Sequence, residues 1–159
     1  MKETTDIVPK IKDAIAKKAP TAVILKHNDY STVGIPDLSI TYLDLNSQRS
    51  KTTWVEVKLL KEDETLSSFK KHFSGLQLTQ AILLERQGYA YYFVAYPLAG
   101  LLCGAIFSPR ALKVFLDQNM FDGAASFSAC SLIKYNGMFD HALDFISEVV
   151  MGRIMREER

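Results

Sequence analysis

The chain has 159 residues, 48% of them hydrophobic and 23% charged, which fits one globular domain with a full core and excludes an extensively disordered chain. Its formal net charge of +1 carries no global basic signature for nucleic acid, so DNA binding would need a local basic face. The two cysteines, Cys103 and Cys130, sit in apolar contexts without CxxC or Cys/His spacing, which reads as buried thiols in a reducing compartment and speaks against zinc.

The opening MKETTDIVPK has acids and a proline where a secretory peptide needs an apolar run. Residues 5–19 read as a first helix, with Ile7, Ile11 and Ile15 at i, i+4 spacing on one face and Pro20 ending it. Glu3 lies one turn before Ile7, at the edge of the buried face, whereas Asp13 falls on the wet side. AVILK (22–26) is a short strand, and HNDYSTVG (27–34) a polar loop. Residues 37–45 alternate, Leu38, Ile40 and Tyr42 against Asp37, Ser39 and Thr41. NSQRSK (46–51) reads as a turn. Residues 52–60 alternate again, Val55, Val57 and Leu59 opposing Trp54, Glu56, Lys58 and Leu60, which predicts a hairpin.

KEDETLSSFKKHFSG (61–75) has no clean period and reads as a mobile loop or short helix. A helix follows over 76–87, with Gln77, Gln80, Ala81 and Leu84 on one face and Gly88 at its end. Residues 87–109 lack any charged side chain and are long enough to span a bilayer. Their proline, glycines and tyrosines fit two buried strands joined by a PLAG turn better, over 89–96 and 101–107. Residues 109–118 are helical from Pro109, residues 119–137 have no secure assignment, and 139–156 form an amphipathic helix with a charged end. The order predicts an α/β fold: one domain, a mixed sheet flanked by helices, with a core over about 3–108 and a helical extension over 109–159.

Charges set into strands of a half-buried sheet cost free energy unless they are paired, hydrogen-bonded or bound to metal. Asp37, Glu56 and Lys58 are such charges, and alternation puts all three on one side of the hairpin. A solvent-facing ladder with a Glu–Lys pair explains the pattern about as well.

The string as a whole says more. Gly34-Ile35-Pro36-Asp37, then about 19 residues on Val55-Glu56-Val57-Lys58, then Gln77 eleven residues before Gly88, resembles the PD-(D/E)xK nuclease superfamily. It is most similar to the VRR-NUC branch and phage-type Holliday junction resolvases. The resemblance covers residues 3–96, with Lys26 ahead of the GIPD loop also fitting, and nothing after 108 matches. It implies a restriction-endonuclease-like fold and a metal-dependent DNA endonuclease, with Mg²⁺ as cofactor and Mn²⁺ able to substitute. Phosphodiester hydrolysis needs an activated water and shielding of phosphate charge, and hard oxygen ligands suit the ion. The resemblance assigns Asp37, Glu56 and the Val57 carbonyl to the metal, and makes Lys58 the residue that positions water and stabilises charge.

An acid on the first helix is also expected. Glu3 is the candidate for a metal-binding and catalytic role, and Asp13 the runner-up. Gln77 would bond near the metal or scissile phosphate. Lys26, His27, Lys61, Lys70 and Lys71, with His72, could touch DNA phosphates, although for any one of them a solvated surface group is the better reading. Trp54 shares the face of Glu56, where it could stack on a base but core packing is the better reading. The expected partner is branched DNA such as a four-way junction, with a homodimer through the C-terminal region, no membrane, and a cytoplasmic location in the cell or phage host. Two other readings stay open: a non-catalytic nuclease-fold module binding DNA or protein, and a sequence-specific restriction-type enzyme.

Overall fold

The computed structural model describes residues 1–27, 36–44, 47–73 and 75–152. The chain enters through a wide π turn, Glu3–Ile7, that runs straight into helix α1, Val8–Lys18. Pro9 falls at the second position of α1, in the first turn that a proline tolerates best. Strands β1 (Val23–Lys26), β2 (Leu38–Asp44) and β3 (Arg49–Leu59) follow as an antiparallel meander. Two helices, α2 (Leu66–Lys71) and α3 (Gly75–Gln87), then carry the chain across to β4 (Tyr89–Leu98). This crossover makes β4 parallel to β3, the one parallel pair in the sheet. β5 (Leu101–Phe107), α4 (Pro109–Asp117), a 3₁₀ turn (Ala124–Ala129), β6 (Tyr135–Met138) and α5 (Phe139–Val150) complete the described chain.

The six strands lie in sequence order, β1-β2-β3-β4-β5-β6, in one mixed sheet with a core on each face. On the first face, Val8, Ile11 and Ile15 of α1 and Ala142, Ile146 and Val149 of α5 pack over Leu38, Ile40, Val55, Val57 and Phe93. On the second, Phe69, Leu78, Leu112 and Phe115 of α2–α4 cover Tyr92, Val94, Ala105 and Phe107, with Phe127 wedged among the rings. The alternation along β2 and β3 thus sorts their side chains as periodicity demands. The α/β fold and single sheet expected from the element order are what the chain forms.

Residues 87–109, the stretch long enough for a membrane span, form a hairpin. Leu98 and Leu101 are paired, and Ala99 and Gly100 both take positive φ (52° and 77°). That is the two-residue turn whose twist matches its flanking strands. Among the described residues, no helix is long and apolar enough to cross a membrane.

Two expectations are corrected. Arg49, Ser50 and Lys51 belong to β3 and not to a turn, because they pair with Asp44, Leu43 and Tyr42 across the hairpin. Of the two readings of 61–75, residues 66–71 take the short helix, started by Thr65, whose hydroxyl accepts from the Ser68 amide while the Ser68 hydroxyl accepts from the Thr65 amide. The segment after 108 is not a helical extension on a finished core. β6 extends the sheet beyond β5, and the apolar face of α5 is used up against α1 and the first face. A dimer interface in this region would therefore need a surface other than that face. The charged end at 153–159 lies outside the described residues, as do Gly34 and Ile35 of the GIPD loop.

Candidate active site

The site arises because β3 outruns β2. Their pairing runs from Asp44–Arg49 to Leu38–Val55, and β2 begins there while β3 continues to Leu59. Beyond that point the outward-facing amides of β3 have no strand to accept them. Backbone donors cannot be left unpaired at a part-buried edge without cost. Two carboxylates take them: Asp37 Oδ2 accepts from the Val57 N–H and Glu3 Oε2 from the Leu59 N–H, both at 2.9 Å. The other edge of β3 remains paired with β4 through Leu59–Ala95. Asp37 is held from behind, since its own carbonyl accepts from the His27 amide at 2.8 Å.

Glu56 projects onto the second face between these acids and α3, and is 4% exposed. Gln77, in the first turn of α3, donates from Nε2 to Glu56 Oε2 at 2.6 Å. Its proton is held far above the ordinary glutamate range, to about 10, chiefly by burial. The hydrogen bond to Asp37 and that residue's charge add to the effect, and Glu3 contributes further in the same direction. Lys58 opposes them, its ammonium favouring the ionised form. At neutral pH the buried Glu56 carboxyl therefore keeps its proton, hydrogen-bonded to Asp37.

Asp37, Glu56, Lys58, Gln77 and Glu3 thus meet at one place, although they come from four elements and span residues 3–77. Asp13 is exposed on α1 and takes no part. The remaining basic candidates are spread more widely. Lys26 is exposed and reaches the Thr4 carbonyl at 3.3 Å, Lys61 is exposed just past β3, and Lys70 and Lys71 are exposed on α2. His72 is paired with Glu64 at 3.0 Å. His27 is half-buried, its Nε2 2.8 Å from Ser39 Oγ and its ring 5.4 Å from that of Trp54. Gln80 is exposed.

Tyr92 is a neighbour that sequence reading missed. It pairs in register with Glu56 across the parallel β3–β4 seam, is fully buried, and its hydroxyl has no hydrogen-bond partner among the described groups. Burial, with the Glu56 charge as a lesser cause, raises its phenol well above the usual range. Only the strand pairing reveals it, because nothing in YAYYFVAY distinguishes one tyrosine from the next.

Among the described residues, no group of three or more His, Cys, Asp and Glu side chains is disposed to hold a metal ion. Glu3, committed to the Leu59 amide, does not complete a cage with the other two acids. Two adjacent carboxyl groups, Asp37 and Glu56, nevertheless suit Mg²⁺, which is bound through one or two carboxylates and keeps several waters. A divalent cation would replace the Glu56 proton and offset the cost of a buried charge, which is the chief cause of its raised value. The donor set fits such an ion held partly by water and substrate oxygens. Comparisons with protein-family models, with curated proteins and with solved structures found no match.

Proposed function

We propose that the protein is a metal-dependent DNA endonuclease of the PD-(D/E)xK type, acting on branched or structured DNA. The observation that carries this reading is the meeting of Asp37, Glu56, Lys58 and Gln77 at the overhanging end of β3. Asp37 satisfies the Val57 amide, but the buried Glu56 carboxyl with its fixed amide and nearby ammonium has no such duty, since an apolar residue would fill that volume at lower cost.

Asp37 and Glu56, with the Val57 carbonyl, would hold Mg²⁺ or Mn²⁺. When bound, the ion supplies Lewis-acid polarisation of the phosphate and a water made acidic enough to attack. Gln77 fixes the Glu56 carboxyl by donating to Oε2, leaving its other oxygen free to turn toward Asp37 and the ion. Lys58, two residues on along the same face, orients the attacking water and offsets charge that builds on the phosphate. Glu3 keeps the Leu59 end of the strand in place, and so shapes the site without serving as a principal ligand. Cleavage would leave a 5′-phosphate and a 3′-hydroxyl. The reading keeps the expectation of a cytoplasmic location, of the host cell if the protein is phage-encoded, and symmetric cutting of a four-way junction would call for a homodimer.

The absence of a three-acid cage among the described residues favours a second reading, a nuclease-fold module that binds DNA or protein without cutting. One experiment separates the two. Purified protein is incubated with Mg²⁺ or Mn²⁺ and four-way junction, flap, duplex and single-stranded DNA, beside Glu56→Ala. Metal-dependent cutting lost in Glu56→Ala is expected. No cutting of any substrate would leave the binding module, and cutting that survives in Glu56→Ala would mean the site is elsewhere. Preference for one short duplex sequence would point to a restriction-type enzyme.

A further inference from the structure

Two residues before Glu56, on the same face of β3, lies Trp54, the chain's one tryptophan. It is half-buried and lines a groove of about 620 Å³ between the first half of β3 and the end of α3. Lys51, Thr52, Arg86, Gln87 and Tyr89 line it as well. The indole is braced by the His27 ring at 5.4 Å, which is itself held at Ser39 Oγ. No carboxylate side chain is among the described residues lining the groove. Lys51 is paired with Asp44 at 3.0 Å, while Arg86 is exposed at the rim.

We propose that this groove receives one unpaired nucleotide next to the scissile phosphate, with its base against Trp54 and its backbone phosphate on Arg86. The inference rests on the nuclease reading and narrows its substrate to DNA carrying unpaired or splayed nucleotides. A braced aromatic ring, hydrogen-bonding side chains and an unopposed cation are what a single base with its phosphate requires. The volume lies in the range of about 300–1,000 Å³ typical of sites for small molecules. Residues two apart on a strand are separated by about 7 Å, so a base at Trp54 stays within one nucleotide's reach of Glu56. A base stacked inside regular duplex has both faces covered and cannot present one to a side chain in a groove, so it must first leave the stack.

The single tryptophan makes the test direct. Full-length protein in EDTA, where no turnover occurs, is titrated with oligothymidylate or with a blunt hairpin duplex of equal length, and tryptophan emission is followed. Saturable quenching by the single strand, and little by the duplex, is expected. Anisotropy of fluorescein-labelled oligothymidylate should show about tenfold weaker binding for Trp54→Leu, the loss of one stacked base. Arg86→Ala, at an exposed position that does not threaten folding, should weaken binding several-fold and reduce the salt slope by about one. Unchanged emission at saturating DNA, or undiminished binding by Arg86→Ala, overturns the assignment. Metal-dependent cutting with a silent tryptophan would sink the groove and leave the nuclease standing. Quenching without cutting of any substrate would retain the nucleotide groove and sink the catalytic reading.

Discussion

Gln77 Nε2 donates to Glu56 Oε2 across 2.6 Å, joining the first turn of α3 to the middle of β3. The contact makes the helix answerable for where a buried carboxyl points. Partners that orient a metal ligand typically account for about 10–100-fold in affinity or activity. Gln77→Ala should therefore raise the Mg²⁺ concentration for half-maximal cleavage about tenfold, with little change in melting temperature. An unaltered metal titration would show that Glu56 needs no such positioning.

Glu56 also ties stability to pH. Below about pH 4.5 the folded and unfolded chains both carry its proton, and the group makes no pH-dependent difference. As pH rises, the unfolded chain ionises at its ordinary value while the folded one keeps the proton to about 10, so stability is lost across that window. Glu56→Gln removes the dependence. Its amide can still accept from Gln77 and donate to Asp37. In EDTA the variant should melt with the parent near pH 4 and several degrees higher near pH 8, roughly 4 °C for each kcal/mol relieved. A melting advantage that is the same at both pH values would show that the proton is not the cause. The same variant should not cleave.

Asp37 serves the fold and, on the proposed nuclease reading, the chemistry, and two substitutions divide those duties. Asp37→Asn keeps an oxygen for the Val57 amide, so its melting temperature should stay close to the parent's. Asp37→Ala strands that donor at a part-buried edge and should cost about 1–2 kcal/mol. Both should lose metal-dependent cleavage. Equal stability in the two variants would mean that water satisfies the Val57 amide.

Gly104 in β5 is a packing constraint remote from the chemistry. A Cβ there would lie 2.7 Å from the Ala142 Cβ on α5 and 3.0 Å from the Phe93 ring. Helix and strand would have to separate, and overpacking of this kind costs about 1–3 kcal/mol. Gly104→Ala should lower the unfolding free energy by that amount, read as a lower denaturation midpoint with an unchanged denaturant slope. Wild-type-like stability would show that α5 can shift outward freely.

The amino-acid sequence by itself determined the period-2 sorting of β2 and β3, the hairpin after Tyr89 and the amphipathic faces of α1 and α5. Each depends on local spacing and on one buried surface. It also singled out Asp37, Glu56 and Lys58, because charges among alternating apolar residues stand out without knowledge of the fold. The strand character of residues 49–51 and 135–138 was not legible, since polar, glycine-containing segments become strands only when a neighbour supplies the ladder. Glu3 and Gln77 were nameable from a family pattern, but their attachment to the Leu59 amide and the Glu56 carboxyl was not. Those contacts exist because β3 extends past β2 and α3 crosses its second face. The same holds for Tyr92, which meets Glu56 through the parallel register, and for the groove beside Trp54. Alternation decided which way the charges point; the unequal lengths of two paired strands decided what they meet.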